Sequence, residues 1–250
     1  WSSDVCSSDL QNFRISHGKP IDIEYRKTMK VCPEYETTTI ENKEKAFLYG
    51  INKTDGNELK QVLLKFSTDS NDWLARRVQF TTSLAVTSMA GYILGLGDRH
   101  LCNIMIKNRT AKLVHIDFGD CFEIAMKRAR FPEKVPFRLT RVFLNALEVS
   151  KIEGTLRLCC ENVMQLLRNN EEQIIALLCA FITDPLLQWA SFKSNNKPIE
   201  ILERIKNKLT GNDFNKNESL TVKEQVKKLI DEATSTKNLC QMFRGWCAWW

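Results

Sequence analysis

The chain has 250 residues, 43% hydrophobic and 26% charged, enough for one large core or two modest ones. Nine cysteines without zinc-type CxxC pairing, Cys159 and Cys160 being adjacent, exclude a metal-finger or secreted disulfide scaffold and read as thiols of a reducing, cytoplasmic compartment. A net charge of +6, with Lys and Arg not interleaved with aromatics, argues against a nucleic-acid surface, and the longest apolar stretch, Leu84 to Leu96, is too short to span a bilayer.

The first ten residues, WSSDVCSSDL, have no helical or strand period and look like an in-frame translation of a sequencing adapter. They are therefore set aside as non-native, which moves the balance to 36 basic against 28 acidic residues, or +8. Residues 30–64 form a charged excursion with a helix over Glu41 to Tyr49 and a turn at Lys53 to Asn57. Asp72 then precedes a long buried helix, Trp73 to Gly95, with apolar residues at Leu74, Val78, Leu84, Met89 and Ile93. Arg76 and Arg77 on its first turns are expected to be solvated or ion-paired, and Gly91, Gly95 and Gly97 to make the helix end and a tight turn.

Beyond that helix lies the densest chemistry. Asp98 is followed five positions later by Asn103, and fourteen positions further by Asp117, which opens Asp117-Phe118-Gly119. Protein kinases space their catalytic Asp, Asn and DFG in the same way. Phosphoryl transfer needs a carboxylate at the acceptor hydroxyl and hard oxygen ligands for Mg²⁺ on the phosphates; Asp98 suits the first task, Asn103 and Asp117 the second. The apolar runs Leu101 to Ile106 and Leu113 to Ile116, parted by Lys107 to Thr110, predict a β-hairpin that returns Asn103 and Asp117 to one edge. Taken singly, either aspartate is more often a turn or cap residue than a catalyst; the joint pattern is what carries the reading. His115, inside an apolar run, reads as a packing residue.

Residues 117–140 lack a period and read as an activation segment, and helices are expected at Arg141 to Val149, Cys160 to Arg168, Glu171 to Thr183, Pro198 to Leu209 and Thr221 to Ala233.

The order Asp98-Arg99-His100, with His115-Ile116-Asp117-Phe118-Gly119, resembles the DRHxxN and HIDFG motifs of the phosphatidylinositol 3-kinase and related-kinase superfamily. Phe131 to Thr140, Asp184 to Trp189, and the tail Asn238 to Trp250 narrow the resemblance to the target-of-rapamycin (TOR) serine/threonine kinases, whose FATC tail usually ends GWCPFW. The resemblance implies an α+β, mostly α fold: a kinase C-terminal lobe at 11–210 with short hairpins, a helical FATC tail at 218–250, and an N-terminal lobe missing from the chain.

By the same resemblance the cofactors are ATP and Mg²⁺, with Mn²⁺ as an alternative. His100 would support the transfer beside the reacting oxygens, Met105 and Ile116 would floor the adenine, and Arg99 would be structural. Residues 30–64 would seat a β-propeller (WD40) subunit of a complex that also holds a scaffold subunit, the substrates would be proteins, and the role nutrient and growth signalling.

The tail aromatics Phe243, Trp246, Trp249 and Trp250 could dock on the kinase core, the favoured reading, or give peripheral contact with lysosomal, vacuolar or other endomembranes. The resemblance suggests a redox-sensitive disulfide between Cys240 and Cys247, while two thiols are the default of the cytosol.

Three departures point to a divergent, protist or fungal-like relative: the family's DRHPSN reads Asp98 to Asn103 as DRHLCN, Ala248-Trp249-Trp250 replaces Pro-Phe-Trp, and the stretch between Ala190 and Pro198 is short where the resemblance implies a long regulatory insertion in animal enzymes. No glycine-rich phosphate loop or strand lysine is recognisable, so the chain alone is expected to be inactive. Two competing readings remain: a lipid kinase, against which the FATC tail argues, and a non-catalytic interaction fragment.

Overall fold

The computed structural model describes residues 22–147, 149–182, 197–214 and 218–250, with the backbone of residues 4 and 5. The expected Asp184 to Trp189 motif lies outside the described residues. Those described form a predominantly helical body around one small antiparallel sheet, as the α+β, mostly α reading anticipated.

Helix α1 (Ile23–Val31) packs on α2 (Ile40–Ile51), and α3 (Glu58–Lys65) follows the expected turn. The sequence reading passed over α1 and α3. In α3 the contact stripe is apolar, Leu59, Val62 and Leu63; in α1 the buried residues are Glu24 and Thr28, so hydropathy carries no trace of that face.

The long helix is α4 (Ser70–Leu94), and its N-cap is Asp69 rather than Asp72. Asp69 accepts from the backbone N–H of Asn71 (2.8 Å) and Asp72 (2.9 Å), satisfying donors that the first turn leaves open. Asp72 pairs instead with Arg76 one turn on, at 2.8 Å. Arg77 is not solvated: it is buried, lies over the Trp73 ring and donates to Leu147 O. Burial along α4 follows Arg77, Phe80, Thr81, Leu84 and Ser88, whereas Leu74 and Val78 are half-exposed. Gly95 ends the helix in the left-handed region (φ 60°), the conformation for which glycine is suited.

The sheet runs β1 (Asp4–Val5), β2 (Ile104–Lys107), β3 (Leu113–His115). The predicted hairpin is β2–β3, with Ile104 opposite His115, Met105 opposite Val114 and Ile106 opposite Leu113. Two residues of the set-aside segment pair with the outer edge of β2. An open edge presents unpaired backbone groups to any extended chain, so this pairing does not depend on the side chains.

After β3, residues 117–140 contain only one short 3₁₀ turn, Ala125–Lys127, before α5 (Arg141–Ala146). Helix α5 stops three residues short of the expected end, because Leu147 turns extended (ψ 174°). Then come α6 (Arg157–Asn169), α7 (Glu171–Ile182), α8 (Lys197–Thr210), α9 (Val222–Thr234) and α10 (Thr236–Leu239). Thr221 and Glu224 form a reciprocal capping box at the start of α9.

The tail packs back on the body. Trp246, Trp249 and Trp250 are buried, while Phe243 is exposed and meets the Phe131 ring at 5.4 Å. Trp249 sits among Tyr25, Tyr35 and Phe47, ring centroids 5.4–6.1 Å away, and its Nε1–H donates to Thr28 Oγ1 (3.0 Å). Arg138 and Arg141 fix the backbone of the tail. The first donates to the carbonyls of Trp246 (2.7 Å) and Cys247 (2.8 Å), the second to that of Trp249 (3.0 Å). Arg141 also pairs with the buried Glu24 at 2.9 Å. Cys240 and Cys247 are free thiols in this structure, and burial pushes Cys240 up to about 11.

Candidate functional site

The site begins at the turn after α4. Gly97 allows residues 117–140 to close on this turn: a Cβ there would stand 2.3 Å from Ala125 Cβ, and the Gly97 N–H donates to Asp120 O (2.8 Å). Asp98 follows with φ 57°, a conformation unusual for a residue with a side chain. Both of its backbone polar groups are held by side chains, the N–H by Glu133 Oε1 (2.9 Å) and the carbonyl by Asn103 Nδ2 (3.0 Å). The Asp98 carboxylate faces His100 Nε2 at 4.0 Å and Arg128 Nη2 at 3.8 Å.

His100 Nδ1 accepts from Cys102 N–H (3.2 Å), which directs the Nε2 edge to Asp98. Residues Leu101–Asn103 make one 3₁₀ turn and bring Asn103 to the foot of β2. Asn103 is buried, with its amide nitrogen committed to Asp98, so its Oδ1 is the group left for a ligand. Its backbone carbonyl accepts from Ile116 N–H (3.1 Å), which closes the hairpin next to Asp117. Asp117 also has φ 57° and accepts from Gly119 N–H (3.1 Å).

The fastening between the two ends of the hairpin is Arg99. Buried to 2% exposure, it donates to the carbonyls of Gly97 (2.8 Å), Asn103 (3.3 Å), Ile116 (2.7 Å) and Asp117. One planar fork thus fixes the backbone of both expected metal-binding residues. Arg138 donates in turn to Arg99 O (3.3 Å), tying this staple to the tail.

Asp98, His100 and Asn103 are therefore in direct mutual contact, and Asp117 joins them through Arg99 and the Asn103–Ile116 bond. Met105 and Ile116 lie on one hairpin face with Val114, since Met105 opposes Val114 and alternate residues share a side. That face is open: Met105 and Val114 are half-buried and Ile116 exposed, whereas Ile104, Ile106 and Leu113 are buried on the other side. Val114 escaped the sequence reading although strand alternation marks it. His115 lies opposite Ile104, and burial, then the Arg99 charge, push it down to about 4, so it is a neutral packing residue at physiological pH.

The groups that could hold a divalent cation are Asn103 Oδ1 and the Asp117 carboxylate, hard oxygens of the kind Mg²⁺ takes. Two protein ligands fit an ion that shares its remaining positions with water and substrate phosphates. Among the described residues no cluster of three or more His, Cys, Asp or Glu offers a protein-only metal cage.

The 117–140 stretch is anchored near its start as well. Burial would raise the Glu123 carboxyl, but Lys208 Nζ (2.8 Å) and Arg204 Nε (2.9 Å) on α8 outweigh it and hold Glu123 below the usual carboxylate range. The contact that sequence reasoning missed is Glu133 with Asp98. Glu133 sits in the quoted Phe131 to Thr140 stretch, yet nothing in that stretch signals a partner 35 residues away. No described helix is long and apolar enough to cross a membrane.

A family model described as "Phosphatidylinositol 3- and 4-kinase" matches residues 6–191, and a FATC domain model matches residues 219–250. The chain is 41% identical to "Serine/threonine-protein kinase tor1" of Schizosaccharomyces pombe, covering 99% of this chain and 13% of that protein. It is 42% identical to "Serine/threonine-protein kinase TOR2" of Saccharomyces cerevisiae, with 100% and 12% covered. To "Serine/threonine-protein kinase mTor" of Drosophila melanogaster the identity is 36%, with 99% and 12% covered. The chain thus spans about an eighth of the length of these curated relatives. Among solved structures, "FAT and kinase domain of CtTel1" superposes on 100% of this chain and 18% of that one, at TM-score 0.85 and 28% identity. The chain belongs to the phosphatidylinositol 3- and 4-kinase family, on the branch closed by a FATC domain that includes the target-of-rapamycin kinases.

Proposed function

We propose that this chain is the C-terminal catalytic lobe and tail of a TOR-type serine/threonine kinase that transfers the γ-phosphoryl of ATP to a protein hydroxyl. The observation that carries this reading is the Arg99 staple, which joins the backbones of Asn103 and Asp117 beside Asp98. The printed names of the relatives, serine/threonine-protein kinases of three organisms, support the acceptor class.

In this reading Asp98 orients the acceptor hydroxyl and accepts its proton as the bond to phosphorus forms. His100, with Nε2 toward Asp98, stabilises charge on the transferring group. Asn103 Oδ1 and Asp117 would hold Mg²⁺, or Mn²⁺ in its place, and the ion when bound would supply neutralisation of phosphate charge. Met105, Val114 and Ile116 present an apolar floor to adenine. Two left-handed aspartates, each costing on the order of 1–3 kcal/mol, are held by hydrogen bonds to Asp98 N–H and O and to Asp117 O.

The wider assignments follow from family resemblance. They comprise protein substrates, a β-propeller subunit on residues 30–64, a scaffold subunit, and a cytoplasmic enzyme on the surface of endomembranes. A purified full-length enzyme, given γ-labelled ATP with a generic protein substrate in one reaction and phosphoinositide vesicles in another, tests the acceptor class. Label on serine or threonine supports the reading; label on lipid alone replaces it with a lipid kinase, and no Mg-dependent transfer with a competent ATP-binding lobe present replaces it with an interaction module.

A further inference from the structure

Asp98 sits at φ 57°, uncommon for a residue with a side chain, and two side chains hold its backbone there. Asn103, already part of the site, secures the carbonyl; Glu133 secures the N–H at 2.9 Å. Gly97 admits this arrangement through Ala125: a Cβ on Gly97 would stand 2.3 Å from Ala125 Cβ and displace the residue whose carbonyl holds Glu133, while meeting Glu133 Oε2 only at an ordinary contact distance of 3.4 Å. Glu133 is itself fixed by its own N–H, which donates to Ala125 O (3.1 Å), and Ala125 packs on Gly97. The Glu133 carboxyl group is thus a clamp carried by the activation segment, 35 residues from the backbone it holds.

The geometry points to Glu133 as a positioning residue for the proposed phosphoryl transfer, setting the Asp98 backbone and so coupling the placement of the activation segment to the aim of the catalytic carboxylate. The inference rests on the functional reading above, with Asp98 at the acceptor hydroxyl. Glu133 acts through hydrogen-bond acceptance, and it touches neither nucleotide nor acceptor in this scheme. Its loss lets Asp98 relax toward ordinary φ, a displacement large enough to spoil the alignment of oxygen and phosphorus while leaving the adenine floor and the metal-binding pair in place.

The test uses the full-length kinase with Glu133→Gln, which keeps an acceptor oxygen, and Glu133→Met, which keeps length and bulk but accepts no N–H bond. Circular dichroism and thermal unfolding confirm that both fold, and Asp98→Asn serves as the reference for loss of the acceptor-orienting group. Glu133→Met is expected to lower kcat about 10- to 100-fold with KM for ATP within about twofold of wild type, and Glu133→Gln to recover most of that loss. If folded Glu133→Met keeps wild-type kcat, or if Gln and Met fall equally, the positioning role is overturned while the functional reading stands. If Asp98→Asn itself keeps full activity, the functional reading falls and the role of Glu133 with it.

Discussion

Replacing Trp249 by alanine examines how the tail is joined to the catalytic lobe. Trp249 is 4% exposed, is ringed by Tyr25, Tyr35 and Phe47, and donates to Thr28 Oγ1. Truncating a buried Trp costs about 3–5 kcal/mol, and the lost hydrogen bond is a part of that figure rather than an addition, since Thr28 keeps its own bond to Glu24 O. Against a total stability of about 5–15 kcal/mol this is a large fraction, and for a body of this size it corresponds to a fall in Tm of about 6–20 °C. Trp249→Phe keeps most of the ring contact and should lose about 1–2 kcal/mol. Thermal unfolding of the intact kinase region, followed by tryptophan fluorescence, reads both. A Tm within about 2 °C of wild type for Trp249→Ala, together with lost binding to phospholipid vesicles, would refute core docking and return these aromatics to a membrane surface.

Three further outcomes follow from the same contacts. Arg99→Lys keeps the charge but cannot reach four carbonyls in one plane, so it should cost about 2–4 kcal/mol and abolish most activity; a variant of wild-type stability and rate in urea unfolding and kinase assays contradicts the staple. Burial, opposed by the Asp98 N–H, raises the Glu133 carboxyl to about 7 from 4.5, so the native state keeps its proton where the unfolded chain has lost it. Stability should therefore fall as pH rises from about 4.5 to 7, by up to about 3 kcal/mol relative to Glu133→Gln, and parallel stability–pH curves for the two proteins contradict this. The 250-residue chain by itself should bind ATP weakly in calorimetry, because floor and metal ligands alone make one wall of a site; micromolar binding would contradict that.

The parts legible in the sequence were those with local signatures. The hairpin followed from two apolar runs around Lys107 to Thr110, and the Asp98, Asn103 and Asp117 set from spacing that the hairpin turns into proximity. Gly95 was legible as a helix end for the same reason, a conformation that one residue type favours. What was not legible depends on partners distant in the chain. Helix α1 buries Glu24 and Thr28, polar residues satisfied by Arg141, Thr54 and Trp249, so its inward face looks like a surface. Arg77 read as solvated or ion-paired because its partner, Leu147 O, is 70 residues on. Glu133 and Arg138 lie in a stretch without period, and only the folded chain reveals what their side chains hold.

The most direct test of the phosphoryl-transfer site is a Mg²⁺ titration of γ-phosphate transfer to protein by the full-length enzyme, comparing wild type with Asp117→Ala. With Asp117 holding the cation through the geometry set by Arg99, the wild type should show saturable Mg²⁺ dependence, and the variant should lose transfer by about three orders of magnitude or more while its circular dichroism and Tm stay close to wild type. A folded Asp117→Ala enzyme that phosphorylates protein at the wild-type rate, with the same Mg²⁺ dependence, would contradict it.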